Sequence, residues 1–120
     1  MVTSTPPAPV NKVLNATKEL LGVPLEVTVF DSVLVLHINS VLSTLDQLIS
    51  GQDEPYQITL TDGDLEDMFP DDETVRSLVQ MYIFCKVRLL FDPPISSFVL
   101  TALQAQIAEF EGRLLDYKVA

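Results

Sequence analysis

Two adjacent prolines, Pro93 and Pro94, cut the most apolar run of this chain from the segment that follows it. Met81-Tyr-Ile-Phe-Cys-Lys-Val-Arg-Leu-Leu-Phe-Asp92 lies before them, and Ile95-Ser-Ser-Phe98 after them. Neither proline fits a helix interior, which needs the missing amide hydrogens, and the residue before a proline leaves the helical region. The apolar run therefore ends as a helix near Phe91. Asp92 and Ser96 can each cap a new helix, and proline is tolerated in a first helical turn. Local chemistry thus predicts a helix–elbow–helix unit, and the rest of the chain has to fold around it.

The chain has 120 residues, enough for one domain whose core needs neither metal nor disulfides. Hydrophobic residues make up 48% and charged residues 20%, a globular rather than a disordered composition. The net charge of -10 argues against a nucleic-acid surface, which needs clustered Lys and Arg, and against anionic membranes. It favours solubility or a basic protein partner. Cys85 is the single cysteine, so no disulfide can form within the chain; beside Phe84 it reads as core. No membrane span is expected, because the apolar runs are broken by Asp, Asn, Lys and Arg. The first residues lack the basic and apolar regions of a signal peptide.

Residues 1–9 read as a flexible Pro-rich arm, and residues 10–120 as a single helical domain. Val10 to Leu21 has helical spacing, with Lys12, Lys18 and Glu19 on the polar side, Gly22 as C-cap and Pro24 as a block. Leu25 to Phe30 fits a short strand or an extended connector, and the connector is preferred for want of pairing partners. Asp31 caps a second helix, Ser32 to Ile49, whose wide apolar stripe predicts burial on more than one side. From Asp53 to Glu73 acids recur and no Lys or Arg occurs. This stretch is expected to be an exposed acidic loop, with Tyr56–Leu60 as a short strand or hairpin inside it and Leu65, Met68 and Phe69 as one helical turn that docks on the core. Asp71 or Asp72 caps a third, central helix, Glu73 to Phe91, with Leu90 and Phe91 in its apolar set. Phe98, Val99, Ala102, Leu103, Ile107, Phe110, Leu114 and Tyr117 mark the fourth. The fold class is all-α: a small four-helix bundle-like domain with a long acidic loop between the second and third helices.

Nothing in the chain spells out a catalytic set. No P-loop, dinucleotide glycine motif or nucleophile elbow occurs, and the four glycines are dispersed. Asp62-Gly63-Asp64 fails the calcium-loop pattern, because the glycine comes second rather than sixth. His37 has no second histidine with which to share a metal, so it and Asn39 read as polar contacts at a helix or subunit interface. No cofactor or metal is expected. Lys86 and Arg88 fit either snorkelling cations, with Arg88 reaching Asp92, or a basic strip that meets the acidic loop of another subunit.

Three separated stretches carry a resemblance. Lys86-Val-Arg-Leu-Leu-Phe-Asp-Pro-Pro-Ile-Ser-Ser-Phe-Val99 is similar to the signature of head–tail connector (adaptor) proteins of long-tailed, siphovirus-type bacteriophages. Asp31 to Leu48 contains His37-Ile-Asn-Ser40, as in that family's second helix. Glu109-Phe-Glu-Gly-Arg113 resembles its closing motif, with Gly112 where the family has tryptophan, a departure expected to weaken packing there. The resemblance runs from about residue 10 to residue 117. It implies a non-enzymatic virion protein of the neck, made in the host cytoplasm. It further implies a homo-oligomeric ring, commonly twelve-fold, between the portal and the stopper or tail terminator. DNA only passes through its channel, and no membrane is involved. His37, Asn39, Asp64, Glu66, Asp67, Lys86, Arg88 and Arg113 are the expected subunit or portal contacts. The second helix and acidic loop would form one patch, the third-helix cations and fourth helix the other. The alternatives are another tail-completion or assembly protein of a phage, or a small acidic regulator that binds a basic protein.

Overall fold

The computed structural model describes residues 11–49 and 56–119, with side chains described as far as residue 116. The proposed arm at residues 1–9 lies outside the described residues. Four helices follow one another: α1 (Lys12–Leu21), α2 (Asp31–Ile49), α3 (Glu73–Phe91) and α4 (Ser97–Val119). A single 3₁₀ turn, Leu65–Asp67, precedes α3. Among the described residues there is no strand. The one β-type contact is an isolated parallel bridge between Asn11 and Gly63, so Tyr56–Leu60 is not a hairpin.

The helix ends follow from their residues. The Asn11 side chain accepts the Leu14 amide at 3.0 Å and opens α1. Gly22 closes it at φ 81°, a left-handed conformation that suits glycine. There its amide donates to the Glu19 carbonyl (3.1 Å) and the Val23 amide to the Lys18 carbonyl (2.9 Å), the paired bonds of a Schellman ending. Asp72 caps α3 by accepting the Val75 amide at 3.0 Å. At the elbow Ser96, not Asp92, takes the capping place: its hydroxyl accepts the Val99 amide at 3.5 Å.

Asp31 differs from expectation. It is the first residue of α2 and serves as the counter-ion of Lys18 rather than as a cap. Lys18, assigned by spacing to the polar side of α1, is only 1% exposed. Its ammonium donates to the Leu25 carbonyl (3.0 Å), the Val27 carbonyl (2.7 Å) and Asp31 Oδ1 (2.9 Å). All three N–H donors are thus used, and the connector between α1 and α2 is wrapped around one cation.

α3 is the central helix and packs on α1, α2 and α4. Val79, Tyr82, Ile83 and Val87 are fully enclosed, against Leu34, Ile38, Leu42 and Leu45 of α2. Burial of each such side chain contributes about 1.5–3 kcal/mol. α2 is also long and apolar enough to cross a membrane, with a mean hydropathy of 1.3. Its row Leu34, Ile38, Val41, Leu42, Leu45 and Ile49 faces the other helices, as in the core helix of a bundle.

Two sequence expectations about the core fail at the elbow. Leu90 is 55% exposed, while Phe91 is half-buried with its ring edge-on to Phe30 at 5.2 Å. On α4 only Ile107 and Leu114 are buried among the described residues, and Phe98 is 82% exposed. The apolar periodicity is present, but no described element of this chain covers that face. Farther along, the Tyr82 hydroxyl donates to Glu111 Oε2 at 2.8 Å and ties α3 to α4.

Candidate functional site

The acidic stretch is not a free loop over the residues described. Asn39, on α2, holds it as a neighbouring strand would: its Nδ2 donates to the Ile58 carbonyl (3.0 Å), and the Ile58 amide donates back to Oδ1 (2.8 Å). Asn11 Nδ2 donates to the Thr59 carbonyl. The Gly63 carbonyl accepts the amides of Lys12 (2.8 Å) and Val13 (3.3 Å), so the segment satisfies donors at the start of α1. Ile58, Leu65 and Phe69 enter the core. Arg76 donates to the carbonyls of Phe69 (2.6 Å) and Pro70 (3.2 Å) and fixes the turn into α3. The segment reads as solvated because of its acids; alternate apolar residues nail it down.

Its carboxylates fall into two groups. Asp64 accepts the Glu66 amide at 2.9 Å and lies 3.3 Å from the Lys12 ammonium. The Glu66 amide and then Lys12 hold its carboxyl below the usual range. The Tyr56 hydroxyl accepts the Asp64 amide (2.8 Å) and donates to Asp67 Oδ2 (3.3 Å). Burial pushes that hydroxyl up, and the Asp67 charge adds to the effect. Asp62, Glu66, Asp71 and Glu73, by contrast, stand exposed on the outside.

The cations divide in the same way. Lys12 and Lys18 pair with acids, Arg76 is held by carbonyls, and Arg113 pairs with Glu109 one turn earlier at 2.7 Å. Lys86 and Arg88 have no carboxylate partner among the described residues. The Lys86 ammonium lies 5.9 Å from the Tyr82 ring centroid, a cation–π distance. Arg88 does not reach Asp92, and its Nε is buried without a hydrogen-bond partner among the described residues. Burial pushes the Cys85 thiol up, and Arg88 partly opposes that. Cys85 is buried and packs in the core.

Between α2 and α3 runs an open groove of about 260 Å³, lined by Ser40, Val41, Thr44, Lys86, Leu89 and Leu90. Its floor is apolar, and one ammonium marks its rim. No group of three or more His, Cys, Asp or Glu side chains is placed to hold a metal among the described residues. Of the expected contact residues, Asn39, Asp64 and Arg113 are engaged within the chain. Asp67 is bound by Tyr56. His37, half-buried, shows no side-chain hydrogen bond among the described residues, and Glu66 and Lys86 remain available.

The groove and the cations on α3 that lack a carboxylate partner among the described residues are the features of this surface that a partner could use. A comparison with family models matches the phage connector protein family over residues 13–118. The chain belongs to the phage connector protein family. The match spans all four helices, elbow included. This connector is accordingly a structural component of a phage particle that associates with other head and tail proteins. No curated protein and no solved structure gives a significant match.

Proposed function

We propose that this connector forms a homo-oligomeric ring, twelve-fold as the resemblance implies, in the neck of a long-tailed phage. The ring adapts the portal on one side to the stopper or tail terminator on the other, and DNA passes through its channel. Assembly takes place in the host cytoplasm, and the protein stays in the virion. It performs no chemistry.

The observation that carries this reading is the family match from residue 13 to residue 118. Physical chemistry agrees with it. A ring repeats one heterologous contact, so each subunit needs two unlike patches. This chain has an acidic edge with Asp62, Glu66, Asp71 and Glu73 exposed, and elsewhere Lys86 and Arg88 without carboxylate partners among the described residues. We assign those cations and that edge to contacts between subunits or with portal. His37, Asn39, Asp64, Asp67 and Arg113 flank the contacts, with Asn39, Asp64 and Arg113 chiefly shaping the fold.

The test is genetic and visual. A phage lacking this gene should yield DNA-filled heads without tails, and supplying the protein should restore joining. Electron microscopy of the restored particle should show its density between portal and tail. Complete infectious particles made without the protein would rule the role out.

A further inference from the structure

Two helical surfaces of this chain carry no formal charge and are left uncovered by the described residues. From Pro93 to Ala108 no Asp, Glu, Lys or Arg occurs, in a chain that is 20% charged. Most of that stretch is open: Ile95 is fully exposed, Phe98 nearly so, and Val99, Ala102 and Ala105 face solvent. On α2, Ser32 to Leu45 likewise holds no charged residue. There Val33, Leu36 and Ser40, three and four residues apart, form an exposed stripe that Val29 continues ahead of the helix. Leu36 alone is 68% exposed. Contiguous apolar surface of this kind marks a contact face. α2, α3 and α4 each pack on the other two. The outer faces of α2 and α4 therefore point apart, so contact of one with the other requires a second chain.

We infer that the outer face of the first half of α4 in one copy packs on the outer face of α2 in the next. Phe98 lies on Val33 and Leu36 in this head-to-tail contact. Two observations favour a second copy as the occupant. Each copy carries a net charge of -10, so like copies repel except where they present neutral surface, and these two faces are neutral. The margins are also complementary. Asp92, exposed and in no ion pair among the described residues, stands at the head of the α4 face. Lys86 stands without a carboxylate on the groove that Ser40 shares with the α2 stripe. The contact brings one unpaired anion to one unpaired cation. It rests on the ring reading and specifies which surfaces close the ring.

The test uses the full chain together with the portal protein. Leu36→Cys and Phe98→Cys are made separately, one of them tagged, then mixed and oxidised. A disulfide should link L36C copies to F98C copies, while neither variant alone should crosslink. A chain with both substitutions should give a ladder of covalent multimers. Phe98→Asp should keep its helical circular dichroism and raise the concentration for half-assembly by about tenfold or more. A ring-sized mass without the mixed crosslink, and unchanged by Phe98→Asp, would overturn this contact and leave the ring reading standing. Crosslinking of F98C only to itself would indicate a two-fold pair, and crosslinking only to portal would make portal the occupant; either overturns the contact. A monomer under every condition would overturn both readings.

Discussion

Lys18→Met removes an ammonium while keeping most of the apolar stem. In the native chain that ammonium is 1% exposed and is held by two carbonyls and the Asp31 carboxylate. The variant leaves all three acceptors without their donor. Breaking a buried ion pair by removing one partner costs about 3–5 kcal/mol. The Asp31 side chain is 18% exposed, so water can reach it and the lower end applies, about 3 kcal/mol. A chain of this length has a stability of roughly 6–18 kcal/mol, so the variant should still fold. In urea, with a slope of about 1–3 kcal/mol per molar, the midpoint should fall by about 1–3 M at unchanged slope. Adding Asp31→Leu should recover part of the loss, because no unpaired charge then remains. A Lys18→Met shift within about 0.5 kcal/mol is what an exposed lysine would give, and it would refute the clamp.

Further outcomes follow from other contacts. Gly63→Ala should destabilise by about 1–3 kcal/mol, since a Cβ there would come within 2.6 Å of Asn11 Oδ1 and 2.6 Å of Ile58 Cγ2; an unchanged denaturation midpoint would contradict this close approach. Gly112→Ala should stabilise by about 0.5–1 kcal/mol, because nothing lies within 4 Å of the added carbon; thermal melts read the sign. Asp64 has a folded pKa below its ordinary 3.8, so its stabilising contribution is full above that value and is lost as pH falls toward the depressed pKa. Asp64→Asn should therefore flatten the decline of stability below about pH 4, as read by denaturant midpoints across pH. Charge reversal of both Lys86 and Arg88 should weaken ring formation and leave the fold intact; full assembly of that variant, seen by sedimentation, would remove them from the contact.

The elements of this fold were legible because their signals are local. Gly22 with Pro24, Asp72, and the double proline each act within a few residues; α1 ends, α3 starts and stops, and α4 begins where those residues allow. The contacts of Lys18, Asn39 and Asn11 were not legible, for the opposite reason. Their partners lie far along the chain or in an irregular connector, and a polar residue gives no sign in sequence of which backbone it will hold. Lys18 did offer one clue, since it sits four residues after Leu14 and three before Leu21, on the apolar side of α1. In the acidic stretch the docked turn at Leu65, Met68 and Phe69 was legible from its apolar residues, whereas the hold on Ile58 was not, because it depends on Asn39 of a distant helix. Leu90 and Phe98 show a different limit. Periodicity reports that a face is apolar but not whether its cover comes from the same chain. Gly112 was expected to weaken packing, yet it sits on the exposed side of α4 with open space around it.

The central claim is that this connector builds a ring on the portal. Light scattering of the purified protein, alone and then mixed with the portal from the same genome, measures it most directly. The account predicts a ring-sized mass, either free or appearing when portal is added. A chain that stays monomeric in both conditions would contradict it.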